Sequence, residues 1–507
     1  MSLDASLSIA SGSLANINRQ LALVSQNVAN AATPGYAREV STQQSVTAGG
    51  LGMGVHSGPA QRNIDAALQA GMLEQNATVS GLQTRQAALQ AIDAALGTPG
   101  QGSDLPSLLG KMQDAFSTLA SGPDNPTQQQ AVVSAAGTLA SGINSLSSAY
   151  TSQRQAANDA IQSDLNTLNG AMGTISSLTK QIIVLKSSGQ STADLESQRD
   201  AALQSVSQIV DLKVLNQDNG NVVLVLGSGL SPSLDTPSPF STGPSTIGAG
   251  SYYPGGGIPA ITLGGADVTS QLVGGSLGAN ITLRDSTLPA DQAELDEFSQ
   301  NLASRFDAQG LRLFTDPSGN VPSGGGAPVQ SGYVGFAASI QVNPAVQTVP
   351  SKVRDGTQSV PNDPTGASAF TMNPAGGPAG FTTLIARVLD FALGTQAQSG
   401  VTQPGFHTTG LGPTGAASSP YAGSGALSTL ATAMVGAQSQ DSATATGQLA
   451  TEQAVQTALQ SKFSAQSGVS MDTEMSTMVQ LQNAYGASAR LISAAQAMWS
   501  QFLNAVQ

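Results

Sequence analysis

Gly274-Gly275-Ser276-Leu277-Gly278 has the G-x-S-x-G spacing of a nucleophile elbow, a strand-to-helix turn that exposes a serine for acyl transfer. Such a serine needs a histidine base and a carboxylate further along the chain. The only histidines are His56 and His407, and His407 lies in a Gly-rich stretch. Ala279 to Leu283, after the motif, reads as extended chain rather than helix. With 57 glycines in 507 residues the match is expected by chance, and a plain turn is the preferred reading. A secreted serine hydrolase built on Ser276 stays as a remote alternative. Asp291, Glu294, Asp296 and Glu297 have the spacing for acid–base work. They fall in the first turns of an expected helix, where acids favour the macrodipole, and read as a solvated helix start. Two histidines and no cysteine leave no multi-His or thiolate metal site within one chain. No catalytic residue, cofactor site or metal site is therefore expected.

Composition narrows the class further. Charged residues make up 10% of the chain, against roughly 25% in ordinary soluble proteins. The 18 basic residues are scattered singly against 31 acidic ones, for a net charge of −13. Nucleic acid would need a basic stripe to displace counterions, so it is not an expected partner. No run of 18 or more apolar residues is present, so no membrane insertion is expected. The start, MSLDASLSIASGS, lacks the basic opening and continuous apolar core of a secretory signal, so export without a cleaved signal peptide is expected.

The elements that must position any site are mostly helical. Leu3, Leu7, Ala10, Leu14, Ile17, Leu21, Val24 and Val28 step by four and three, a heptad seam on a helix of about 40 Å. At the other end Met478, Leu481, Tyr485, Ser488, Ile492, Ala495, Trp499, Phe502 and Val506 repeat the spacing. The aromatics of this second seam read as packing rather than as a ligand platform. Each stripe is narrow, and ordering its helix costs more backbone entropy than one stripe's burial returns. Both ends need a partner, either each other or another subunit. Between them, residues 64–210 read as long helices, with Asn125-Pro126 opening one that runs to about Lys186 and a capping box at Ser191-Thr192-Ala193-Asp194 opening the next. Lys213–Leu215 and Val222–Leu226 flank an Asn-Gly turn and predict a hairpin. Residues 227–283 and 316–423 are rich in Gly, Pro, Ser and Thr, with Pro289–Gln309 returning to helix between them.

The first seam ends in Asn27-Val28-Ala29-Asn30-Ala31-Ala32-Thr33-Pro34-Gly35-Tyr36. Thr33 precedes proline and is pushed out of the helical region. Pro34 sets the first corner and Gly35 the second corner of a type II turn. Asn27 and Asn30 can bond backbone groups freed as the helix ends, and Tyr36–Thr42 leaves with strand-like alternation.

This segment resembles the N-terminal motif of bacterial flagellar rod, hook and hook-associated axial proteins, and Val469–Val506 is similar to their shared C-terminal helix. Asp194–Asp200, Gly278–Phe306 and Ala338–Pro344 resemble the hook-associated junction members in particular. The resemblance implies a multi-domain α plus β fold with terminal helices paired as a coiled coil. The implied division is an axial core of 1–40 and 468–507, a helical rod domain of 41–210, 284–315 and 424–467, and a β-rich outer region of 211–283 and 316–423. It implies a structural, non-enzymatic subunit that polymerises between hook and filament, with a hook or rod protein as the alternative within the class. Implied partners are copies of itself, the hook protein, the next hook-associated junction protein, and the flagellar export apparatus with its cytoplasmic chaperone. The implied location is extracellular, at the hook–filament junction.

Overall fold

The computed structural model describes residues 3–506 apart from 34, 35, 49, 50, 99, 422 and 424. Helix α1 (Leu3–Asn30) is followed by strands β1 (Glu39–Ala48) and β2 (Leu51–Arg62), which pair antiparallel from Glu39↔Arg62 to Ala48↔Leu51. Then come α2 (Ala66–Leu96), α3 (Leu105–Ser121), the 62-residue α4 (Pro126–Ser187) and α5 (Ala193–Ile209). The helix starts are chemically set. The Asp65 carboxylate accepts from the amides of Ala67 and Leu68, Asp104 from Ser107, and Asn125 from Thr127, with Pro126 needing no amide partner.

Strands β3 (Leu212–Asn216) and β4 (Val222–Leu226) form the expected hairpin, turned at Gly220. Next are β5 (Phe240–Ser241), β6 (Thr262–Leu263), β7 (Ala266–Asp267), α6 (Gly275–Thr282) and, after one π turn, α7 (Leu288–Ala308). Strands β8 (Phe314–Thr315) and β9 (Gln341–Val342), helices α8 (Pro344–Thr348), α9 (Lys352–Asp355) and α10 (Thr383–Arg387), and strands β10 (Gln396–Gln398) and β11 (Val401–Thr402) are all short. Helices α11 (Leu427–Ser467) and α12 (Met471–Val506) complete the chain.

Helix α4 is the spine of two cores. Its first half, through Ile143, Tyr150 and Ala157, packs with α3, α7 and the start of α11, where Phe116, Phe306 and Phe314 stack in sequence. Its second half, through Ile161, Leu168 and Ile175, packs with α5, the β3–β4 hairpin and α6. Arg154, between the two, is buried and donates to the carbonyl oxygens of Arg284, Gly248 and Ser251, which pins the 248–251 loop to the spine.

Four expectations change. Residues 39–48 and 51–62, expected as strand only to Thr42 and otherwise inside the helical part, pair as two antiparallel strands. The second strand alternates only over Leu51, Met53 and Val55, with glycines between them, and Gly58-Pro59 then interrupts the pattern, so the period-2 signal is too short and Gly-rich to stand out. Gly275–Thr282 is helix, where extended chain is expected over Ala279–Leu283. The start depends on Gly274 and Gly275 at positive φ, and on close packing of Gly81 against Gly275, which local propensity does not report.

The two Gly/Pro-rich segments hold strands of five residues or fewer, with turns and short helices between. Finally, the acids of α7 do not form a solvated start. Glu294, Asp296 and Glu297 are buried, and they fasten the outer loops. Asp296 accepts from the amides of Gly335 (2.7 Å) and Ala337 (2.9 Å). Glu297 accepts from the Tyr333 hydroxyl (2.5 Å) and the His407 amide (2.8 Å), and Glu294 accepts from the Tyr421 hydroxyl (2.8 Å). Polar loops that cannot bury much apolar surface are held by hydrogen bonds to buried charges.

Candidate assembly interface at the terminal helices

Helices α1 and α12 pack against each other. Asn27, near the end of α1, lies beside Glu474, in the first turn of α12, so the two run antiparallel. On α1, Ala10, Ile17 and Val24 are buried, Leu14, Leu21 and Val28 are half-buried, and Leu7 is exposed. On α12, Ser488 and Ala495 are buried and Met478, Leu481 and Ile492 are half-buried, while Tyr485, Trp499 and Phe502 are exposed. The second seam is therefore divided. At 1.5 Å per residue from Asn27 and Glu474, the start of α1 reaches only about as far as residue 498. Trp499 and Phe502 lie beyond that point, whereas Tyr485 lies within the paired length and is exposed all the same. The side chains of Leu3 and Val506, and the turn residues Pro34 and Gly35, lie outside the described residues.

The joint below the pair is built on Asn27. Its Nδ2 donates to the Glu39 carbonyl (2.9 Å), and its Oδ1 accepts from the Glu39 amide (3.0 Å) and the Tyr36 hydroxyl (3.1 Å). Asn27 thus binds the strand that leaves the turn rather than its own helix end. Asn30 does what the sequence suggests, donating to the Gln26 carbonyl (3.1 Å) and accepting from Thr33 Oγ1 (3.3 Å). Arg38 Nε pairs with the Glu474 carboxylate at 2.6 Å, and Glu474 is fully buried. The Arg38 amide donates to the Ser467 carbonyl (2.8 Å), and Ser467 Oγ accepts from the Asp65 amide (3.3 Å). One knot thereby ties α1, β1, the start of α2 and the link from α11 to α12.

Arg38, Glu39, Ser467 and Glu474 were not singled out by sequence reasoning. The usable signal was scarcity: an acid near the start of so charge-poor a helix needs a partner. Glu39 is buried with Oε1 lacking a hydrogen-bond partner. Burial, reinforced by Asp194 and opposed by Arg62, pushes its carboxyl up to about 7. Burial and the nearby Glu39 push the Tyr36 hydroxyl upward.

The residues considered for chemistry are dispersed. Ser276 Oγ donates to Asp164 Oδ2 (2.8 Å), so its partner is a carboxylate and no imidazole is placed to act as base. His407 Nδ1 lies 3.1 Å from Glu297, and His56 is exposed on β2. Among the described residues no three His, Cys, Asp or Glu side chains are grouped to hold a metal ion, and no helix is long and apolar enough to cross a membrane.

Residues 89–319 match the family model of the flagellar hook-associated protein FlgK helical domain, and residues 460–505 match that of the flagellar basal body rod FlgEFG protein C-terminal. The second match takes in the end of α11 and nearly all of α12. Among curated proteins the chain is 27% identical over 316 residues to flagellar hook-associated protein 1 of Salmonella typhimurium, covering 59% of this chain and 54% of the relative. It is 26% identical over 216 residues to the protein of that name from Bacillus subtilis, covering 40% and 42%. The chain thus spans about half the length of the curated relatives it matches. Among solved structures, the flagellar hook junction protein FlgK from Burkholderia pseudomallei is similar at 26% identity and a TM-score of 0.40, over 50% of this chain and 45% of that one. The chain is thus similar, over its long helices and its C-terminal helix, to flagellar hook-associated and rod proteins.

Proposed function

We propose that the chain is a structural subunit of the flagellar hook–filament junction and catalyses no reaction. It polymerises with copies of itself, seats on the hook protein, and presents a seat for the next hook-associated junction protein. The observation that carries this reading is the apolar side chain that α12 leaves exposed. Leu491 is 65% exposed and Phe502 60%, in company with Met475, Val479, Met498 and Trp499. A helix that shows so much apolar side chain after pairing with α1 is built for a further protein contact.

In this reading α1 and α12 pair as a coiled coil in an axial core of 1–40 and 468–507, and the helical and Gly/Pro-rich parts stand outside it. The chain leaves the cell through the flagellar export apparatus after a cytoplasmic chaperone has held α12, and works outside the cell.

The match of residues 460–505 to rod proteins supports a second reading, a hook or rod protein. Deleting the gene separates the two. A junction subunit's loss leaves hooks without filaments and flagellin in the medium. Cells without hooks would overturn the junction reading in favour of the hook or rod.

A further inference from the structure

Glu39 opens β1 at the joint below the terminal helices. It is 3% exposed, its Oε1 has no hydrogen-bond partner, and it enters no ion pair among the described residues. The cations near it are engaged elsewhere. Arg62, opposite Glu39 in the β1–β2 register, pairs with Glu196 at 3.1 Å and with Asp200 at 2.5 Å. Arg38 pairs with Glu474 of α12, and Arg199 of α5 donates to the Gly220 carbonyl. The acids around the joint are Asp194, Glu196 and Asp200 of α5 and Glu474 of α12, with the Tyr36 hydroxyl beside them. Helix α1 contributes only the neutral Gln26, which binds Asp194, and Asn27, which binds the Glu39 backbone. Of these five carboxyls Glu39 alone is buried without a counter-charge.

We propose that Glu39 is a proton-dependent latch on this joint: neutral, it stays in place and holds the terminal helices to the body; ionised, it leaves for water and loosens them. A buried carboxylate with neither donor nor counter-charge is costly, so the neutral form is the one the site fits. The side chain cannot leave alone, because Asn27 grips both the amide and the carbonyl of Glu39. Expelling the carboxylate therefore costs the Asn27 clamp at the end of α1. The neighbouring Arg38 holds Glu474 and, through its amide, the Ser467 carbonyl at the end of α11, so the same movement frees the start of α12. One proton thus acts on both terminal helices. Burial, reinforced by Asp194 and opposed by Arg62, raises the Glu39 carboxyl from 4.5 to about 7. The closed joint binds the proton more tightly than the open one, so its stabilisation is complete below about 4.5 and is lost as pH rises through about 7. The latch lies within one chain and does not depend on which axial assembly takes the chain up.

Hydrogen exchange of the full-length chain, corrected for the intrinsic pH dependence of exchange, tests the latch. The amides to follow are those of Arg38, Glu39 and Asn63, which donate to Ser467, Asn27 and Arg38. Between pH 6 and pH 8 their protection should fall about tenfold, the factor implied by a carboxyl raised from 4.5 to about 7. Glu39→Gln, which keeps the neutral shape, should hold protection within about twofold over the same range. Asp194→Asn removes the acid that most strongly opposes ionisation, so it should move the midpoint of the fall to lower pH. Protection that ignores pH in the unchanged chain, an equal fall in Glu39→Gln, or loss of protection at both pH values in that variant would each overturn the latch. A midpoint unmoved by Asp194→Asn would overturn it too. The gene deletion that tests the junction reading has no bearing on these rates, so the two can fail separately.

Discussion

Asp296→Ala distinguishes a structural acid from a solvated one. Asp296 is 1% exposed, and its carboxylate accepts the backbone amides of Gly335 at 2.7 Å and Ala337 at 2.9 Å, with Gln292 Nε2 at 3.1 Å. Burial raises this carboxyl from 3.8 to about 7, so at pH 8, where it is mostly ionised, each hydrogen bond to the charged acceptor contributes about 1.5–3 kcal/mol. The two amides left without an acceptor set the cost at about 3–6 kcal/mol, against about 0.5 kcal/mol or less for an exposed acid. Urea denaturation followed by circular dichroism reads that loss in the cooperative unit containing α7. Hydrogen exchange gives a local check. The Gly335 and Ala337 amides should exchange about a hundredfold to ten-thousandfold faster, since each 1.4 kcal/mol is a factor of ten. Stability within about 0.5 kcal/mol of wild type, with unchanged exchange at both amides, would show that α7 begins in solvent and that its acids do not hold the outer loops.

Glu294 makes stability pH-dependent in a definite direction. Burial, opposed by the Tyr421 hydroxyl, raises its carboxyl from 4.5 to about 7. The folded chain therefore holds this proton more tightly than the unfolded one, and the stabilisation, complete below about 4.5, is lost as pH rises through about 7. Glu39, also raised to about 7, acts with the same sign. The urea midpoint should fall between pH 5 and pH 8, and Glu294→Gln should make the fall smaller; an equal fall in the variant would contradict the assignment. Gly275→Ala places a Cβ 2.3 Å from the backbone of Ile209 at a φ of +61°, so it should cost at least about 2 kcal/mol. Gly71→Ala, on α2 with open space around it, should be neutral or stabilising by about 0.5–1 kcal/mol in the same denaturation assay. Ser276→Ala, which loses only the bond to Asp164, should leave swimming intact, and a serine-reactive probe should not label the wild type. Labelling would revive the hydrolase.

The long helices were legible because their signals are local and repeated. Asn125-Pro126 states where α4 starts, and apolar positions at helical spacing state which face it buries. The β3–β4 hairpin was legible for a similar reason, through two short apolar runs around Asn219-Gly220. The β1–β2 hairpin was not, because the short alternation of Leu51, Met53 and Val55 is diluted by Gly52, Gly54, Gly58 and Pro59 and the partner strand is mostly Ser, Thr and Gln. Its place is decided by Asn27, which holds Glu39 across twelve residues.

By itself the sequence determined that both ends carry a narrow apolar seam, that the first seam stops at Thr33-Pro34-Gly35, and that one chain holds no thiol and no multi-His site. These follow from residue type and period, which neighbours in the chain enforce. Only the tertiary structure decided which residues of the second seam α1 covers, leaving Trp499 and Phe502 outside. It also decided that Glu297 and Asp296 are buried and that Glu474 meets Arg38. Those outcomes depend on where one helix runs out beside another and on which distant loop arrives at a carboxylate. Periodicity along a single helix carries neither piece of information.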